Sequence, residues 1–291
     1  MATIVVGLDA SPEARDALQW ACAYAGEGDR ILAVRAFEMH WVGLAGSAVP
    51  MLPDDLELAA REAVEKLLGE VGDDRIQAVV REGRPGPALV AEAVRADLIV
   101  VGHRGDSRIA MMLGSTANYV LHHSDVPTVV VRGDGGGDGR AIRRVVVGVD
   151  DHGLDDAGDQ GEQGENAAVR ALRWAYGVPG VGHIRVAHAW HLPPVAVGVY
   201  PAVTADFEAL DNAAYRVIDR VVAAAGPAPD GVVVEPASLR STPGWALVDE
   251  SHEADLVVVG SRGVGRLRGL VLGSTSTATV AHARCPVCVV R

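Results

Sequence analysis

The chain is short of several things. It has three cysteines in 291 residues, too few for a disulfide framework. Aromatic residues make up only 4%, so the core must be built from smaller side chains. No apolar run approaches the length of a membrane span. The opening MATIVVGLDA has no basic segment ahead of a hydrophobic one, so neither a signal peptide nor a transmembrane helix is expected and the cytoplasm is the expected compartment. Positive charge is also scarce. Lys and Arg total 26 against 38 Asp and Glu, for a net charge of −12, which argues against a nucleic-acid backbone as partner. No Ser-His-Asp set or carboxylate pair is placed for nucleophilic or acid–base work, so efficient turnover is not expected. What the chain does have is Val, Ala and Gly, within a hydrophobic content of 49%. That composition suits buried parallel strands with small-residue helix packing.

The organising stretch is Leu256 to Thr275. The apolar run Leu256 to Val259 reads as a parallel strand buried on both faces. It ends at Gly260; Gly263, then Gly273, Ser274 and Thr275 follow, and a helical run over 276–283 comes after. A strand thus feeds a glycine loop, which feeds a helix N-terminus carrying hydroxyls. Glycine lets the backbone come close to a ligand, exposed N–H groups point at an anion, and the helix dipole favours negative charge. One such pattern is weak evidence, but the chain writes it twice: Leu98 to Thr116 carries Gly102, Gly105, Gly114, Ser115 and Thr116.

The rest of the chain repeats as well. Ile4 to Asp9 reappears as Val145 to Asp150, and Leu18, Trp20 and Ala21 as Leu172, Trp174 and Ala175. Pro85, Gly86, Ala88 and Leu89 return as Pro243, Gly244, Ala246 and Leu247, and PTVVVR at 127–132 returns as PVCVVR at 286–291. The unit is too long for a solenoid repeat and reads as a duplicated domain, 1–133 and 141–291, joined by a Gly/Asp linker at 134–140. Within each half, strands alternate with helices. In the first, strands are predicted at 3–8, 30–37, 75–80, 98–101 and 126–132. Ser11 and Pro12 start a helix after the first strand, and 38–53 is left as a loop. The class is α/β, with two duplicated doubly wound parallel five-stranded sheets. In such sheets ligands sit beyond the carboxyl ends of the strands, where strand order reverses. Asp9 and Gly102, like Asp150 and Gly260, end the strands that would meet there.

On these residues each half resembles a universal stress protein domain, and the chain resembles the tandem form of that family over nearly its whole length. The family's ATP signature is glycine, two residues, glycine, nine residues, glycine, then Ser or Thr; Gly260, Gly263, Gly273 and Ser274 match it without a gap. The resemblance implies ATP as ligand, with strand order 3-2-1-4-5. It puts Asp9 and Asp150 near ribose and phosphates, Ala36 and Ala189 against adenine, and Val101 and Val259 in the same pocket. It also implies edge-to-edge pairing of the fifth strands, Val129 to Val131 with Cys288 to Val290, within one chain. A homodimer and an unidentified protein partner remain open. So do two other functions, a structural module that no longer binds nucleotide and a slow ATPase in which Asp9 would serve.

Two departures from the signature stand out. The first half has eight residues, not nine, between Gly105 and Gly114; either the second anchor is displaced by as much as ~3.5 Å, one residue's reach, and the first site is impaired, or the loop re-closes. The second half carries DHGLDDAGDQGEQGE at 151–165 beside Asp150; read as a solvated loop, its charge would repel ATP unless Mg²⁺ intervenes, Asp9 and Asp150 then being the metal-facing carboxylates. Other motifs read as structural. Cys285 and Cys288 fall on a Val-rich strand, three apart and so on opposite faces. His122 with His123, and His188 with His191, lack the accompanying spacing of a zinc site. Arg104, Arg108, Arg262, Arg266 and Arg268 lie in or near the glycine loops, equally suited to phosphate or to solvent. Met111, Met112, Leu113, Leu270, Val271 and Leu272 read as core or interface anchors.

Overall fold

The computed structural model describes residues 1–9, 11–38, 41–44, 47–50, 53–103, 113–132, 141–150, 166–192, 206–261 and 272–291. The linker 134–140, the acidic insertion 151–165, Gly105, Gly263, Arg104, Arg108, Arg262, Arg266, Arg268, Met111, Met112, Leu270 and Val271 lie outside them.

The first half runs β1 (Thr3–Leu8), α1 (Pro12–Tyr24), β2 (Arg30–Phe37), β3 (Trp41–Leu44), β4 (Ser47–Pro50), α2 (Pro53–Val71), β5 (Ile76–Glu82), α3 (Pro85–Ala93), β6 (Leu98–Gly102), α4 (Ser115–His123) and β7 (Thr128–Val131). The second runs β8 (Arg144–Gly148), α5 (Ala167–Tyr176), β9 (His183–Trp190), α6 (Phe207–Ala225), β10 (Val233–Arg240), α7 (Pro243–Glu250), β11 (Leu256–Gly260), α8 (Ser274–His282) and β12 (Val287–Val290). Among the described residues, the antiparallel β3–β4 pair, Trp41 opposite Pro50 and Leu44 opposite Ser47, lies inside the stretch expected to be loop. Strands of four residues, one carrying Gly43 and the other ending on Pro50, give too little alternation to be read.

Each half has strand order 3-2-1-4-5: β5-β2-β1-β6-β7 and β10-β9-β8-β11-β12. The two are not separate sheets. β7 and β12 pair antiparallel, Val130 opposite Val287 and Val129 opposite Cys288, so ten strands form one sheet. Both strands are buried along their whole length. Left unpaired, each would expose a flat apolar edge, the arrangement that invites aggregation. One apolar layer lies on the α1, α2, α5 and α6 side and crosses the seam through Val129, Val131, Cys288 and Val290. The other lies on the α3, α4, α7 and α8 side and includes Val130, Val287 and Cys285. Cys285 and Cys288 are thus split between the two faces, and burial pushes the Cys285 thiol up to about 12, leaving it no nucleophile at neutral pH.

At the seam, Tyr24 stacks on Trp20 of its own helix at 5.1 Å and on Trp174 of the other half at 6.1 Å. Two arginines also cross. Arg132 follows β7 and donates to Ala281 O at 2.5 Å and Ala283 O at 2.9 Å, at the carbonyl end of α8. Arg291 follows β12 and donates to Leu121 O in the last turn of α4 at 2.6 Å. Each half thereby caps the helix of the other with a cation, where the dipole favours one. Among the described residues no helix is long and apolar enough to cross a membrane.

Candidate functional site

β1 hydrogen-bonds to β2 on one side and β6 on the other, and β8 likewise to β9 and β11. Connections from the two sides leave the sheet in opposite directions there, which opens a crevice beyond the strand ends. Each half has a cavity at that place, of about 250 Å³ in the first and about 310 Å³ in the second.

The two are lined by matching residues. Asp9, Ala36, Val101, Gly102, Gly114, Ser115 and Thr116 line the first; Asp150, Ala189, Val259, Gly260, Gly273, Ser274 and Thr275 line the second. Every described residue expected to bind nucleotide therefore lines one of the two cavities. Sequence reasoning missed the apolar wall, Pro85 with Leu89 and Pro243 with Leu247, although the repeat that displays them had been noticed. Arg35, near the end of β2, carries no motif around it and was not singled out, and His188, near the end of β9, was weighed only as a metal ligand with His191 and set aside.

The glycines have two kinds of work. A Cβ on Gly7 would lie 2.8 Å from Leu89 Cδ1, and one on Gly148 2.6 Å from Leu247 Cδ1; these glycines let the apolar wall settle onto the first strand. A Cβ on Gly102 would lie 2.9 Å from the Glu13 carbonyl oxygen, and one on Gly260 3.1 Å from that of Ala167. The first glycine of the signature therefore brings the start of α1 or α5 against the end of β6 or β11, as well as bordering the cavity.

The chemistry lies at the start of α4 and α8. Gly114 donates its N–H to His103 O at 2.9 Å, and Gly273 to Ser261 O at 3.0 Å. His103 and Ser261 donate in turn to Val131 O and Val290 O, both at 2.7 Å. Both glycine loops therefore close on the same pair of hydrogen bonds. The first loop, one residue shorter, thus has the same hydrogen-bonded ends as the second, as expected if it re-closes. The helix ladders begin with Asn118 N–H to Gly114 O and Thr277 N–H to Gly273 O, each 2.9 Å. The amides of 115–117 and 274–276 precede the ladder and have no carbonyl of their own helix to serve. No side chain caps either helix. In α1, α5 and α6, by contrast, Ser11, Asn166 and Asp206 accept from first-turn amides, while α3 and α7, which start with a proline, also lack a side-chain cap. In α4 and α8 the residues carrying these three uncapped N–H groups, at the positive end of the helix dipole, line the cavity, an arrangement suited to an anion.

Opposite them stand the carboxylates. Asp9 accepts from Ser11 N at 2.9 Å and from the Ser11 hydroxyl, while that hydroxyl caps α1 through Ala14 N at 3.2 Å. These bonds use Asp9 Oδ1 and fix the carboxylate beside the cavity. In the second half Ser276 donates to Gly260 O at 2.7 Å, pinning α8 to the end of β11; the first half has Ala117 there. His188 Nδ1 lies 2.8 Å from Val149 O. His122 and His123 sit over Asn118 O and Tyr119 O at 2.6 and 2.8 Å, away from either cavity. Each cavity thus offers an apolar wall, a carboxylate that can accept from hydroxyls, and a cluster of amides for an anion.

The model of the universal stress protein family matches residues 1–132 and 141–291. A universal stress protein of Mycolicibacterium smegmatis is 27% identical, with 99% of this chain and 96% of its own covered. One from Mycobacterium tuberculosis is 28% identical with the same coverage, 99% and 96%. Among solved structures, a universal stress protein from Archaeoglobus fulgidus superposes with a TM-score of 0.64 at 22% identity, covering 100% of this chain and 96% of that one.

Proposed function

The chain belongs to the universal stress protein family, and we propose that it is an ATP-binding regulatory module in which each half holds one adenine nucleotide. Its response would come through conformation or partner choice and not through rapid hydrolysis. The observation that carries this reading is the pair of uncapped helix starts, 115–117 and 274–276, lining cavities that each hold a strand-end carboxylate. The phosphates belong at those amides. The base fits the apolar wall of Leu89, Val101 and Ala36, or Leu247, Val259 and Ala189. The ribose hydroxyls fall between, within reach of Asp9 or Asp150. A Mg²⁺ carried in with the triphosphate would be met by the same carboxylates, and would relieve the repulsion from the acidic stretch 151–165.

Titration calorimetry of the full chain with ATP, with and without Mg²⁺, tests this. Saturable heat with two nucleotides per chain is expected, Mg²⁺ favouring the second half. No heat at millimolar ATP would reject the reading and leave a doubled scaffold that serves as an interaction module.

A further inference from the structure

A second cavity of about 250 Å³ abuts the first-half site on the α1 and α2 side of the sheet. It shares Leu8, Asp9 and Arg35 with the nucleotide cavity, and its far wall carries Arg15, Lys66 and Glu70. Residues alternate along β2: Val34 and Ala36 face the nucleotide cavity, so the Arg35 side chain projects to the α1/α2 side. Arg15 is held by Glu70 in an ion pair that joins α1 to α2. Arg35 and Lys66 have no ion-pair or hydrogen-bond partner among the described residues. Lys66 is moreover the only lysine in the 291-residue chain. In a protein of net charge −12, this wall sets three cations against two carboxylates, one of them already paired with Arg15.

The second half does not repeat the arrangement. α2 and α6 align end to end, each 19 residues long, which places Arg220 at the position of Lys66 and Ala224 at that of Glu70. Val169 stands for Arg15 and His188 for Arg35.

The strand order β2-β1-β6 sets Asp9, after β1, between Ala36 near the end of β2 and Gly102 at the end of β6, which bears on what meets this annex. Amides take phosphate at one end, the apolar wall takes a base, and Asp9 stands between, where a sugar would lie. The annex opens at Asp9 and Arg35, that is, at the sugar. We propose that Arg35, Lys66 and Arg15 form an anion subsite for a phosphate carried on the ribose itself, so that the first half prefers an adenine nucleotide bearing a second phosphate at its 2′ or 3′ oxygen. The proposal rests on the reading of the first cavity as a nucleotide site. Asp9 keeps one oxygen for the remaining hydroxyl, and the two unpartnered cations supply charge-assisted hydrogen bonds.

The single lysine allows a direct test on the full chain. Lys66 is acylated with an amine-selective reagent and its labelling is followed by peptide mass spectrometry, with AMP, adenosine 2′,5′-bisphosphate, adenosine 3′,5′-bisphosphate or inorganic phosphate present. One of the bisphosphates should protect Lys66 at concentrations where AMP and inorganic phosphate do not. In calorimetry that bisphosphate should bind one site about tenfold more tightly than AMP. Lys66→Glu should remove the preference while AMP binds as before, and Arg35→His, which installs the residue of the second half, should weaken it. If AMP binds but neither bisphosphate is preferred or protective, the subsite is overturned and the nucleotide reading stands. If inorganic phosphate protects equally well, the cavity is a free-anion site and the proposal fails. If no adenine nucleotide binds at all, both fall together.

Discussion

Gly102 shows how one residue can serve packing and, on the proposed reading, a ligand at once. It is the first glycine of the signature, legible in the sequence as a place where backbone meets phosphate. Its clash partner, the Glu13 carbonyl, was not legible, because that contact joins the end of one strand to the helix that follows another. The partner decides the response to substitution. At Gly7 the added Cβ would meet the tip of a leucine, which can move. At Gly102 it would meet backbone at 2.9 Å, which cannot move without shifting α1. Gly102→Ala should therefore destabilise by about 1–3 kcal/mol, in the range of overpacking, and Gly7→Ala by clearly less. Urea melts of the two variants check this, and equal losses would contradict it. Arg35 escaped notice for the opposite reason: a single cation near a strand end has no neighbours in sequence that mark it, while His188 was visible only as a histidine without a zinc-site spacing.

Among the elements, helix ends carry most of the information. Starts marked by a polar cap could be read directly, as at Ser11 with Pro12. The uncapped starts of α4 and α8 could be read too, because the glycine loop announces them. Helix ends held by distant arginines could not. Arg75 donates to Cys22 O at 2.9 Å, Ala25 O at 2.5 Å and Gly26 O at 3.1 Å, closing the carbonyl end of α1, and is itself held by Asp73 at 2.6 Å. The Arg75 guanidinium draws the Asp73 carboxyl down from 3.8 to about 2. A depressed carboxylate contributes stability that is fully present above its ordinary value and is lost as the pH falls through the folded one. Thermal melts of Asp73→Asn should therefore fall less steeply than wild type between pH 3.8 and about 2. Parallel slopes would show that the pair contributes nothing there.

For the molecule as a whole, duplication, the α/β class and the position of both crevices were legible, since each follows from a pattern written twice. The β3–β4 pair was not, for want of alternation. The continuous sheet was suggested by resemblance but could not be derived from pattern, because nothing local in TVVV or VCVV tells an edge strand from a paired one. With the β7–β12 ladder, a core layer crossing it and the reciprocal Arg132 and Arg291 caps, the two halves should melt as one unit. Calorimetry should give a single transition, and Arg132→Ala with Arg291→Ala should lower it and separate it into two. Two independent transitions already in the wild type would contradict a shared core.

The central claim is that backbone amides, more than side chains, hold the phosphate in both halves. Proline at the first helical position removes one of those N–H groups and is otherwise well tolerated there. The residues before it, Gly114 at φ −58°, ψ 147° and Gly273 at φ −63°, ψ 153°, already have the extended backbone that a following proline requires. The decisive measurement is the ATP affinity of Ser115→Pro with Ser274→Pro, set beside Ser115→Ala with Ser274→Ala, which keeps the amides and removes only the hydroxyls. A hydrogen bond to a charged group contributes about 1.5–3 kcal/mol, so the proline pair should bind ATP roughly 10- to 100-fold more weakly with its fold unchanged, and the alanine pair much less so. Undiminished binding by the proline pair would contradict the claim.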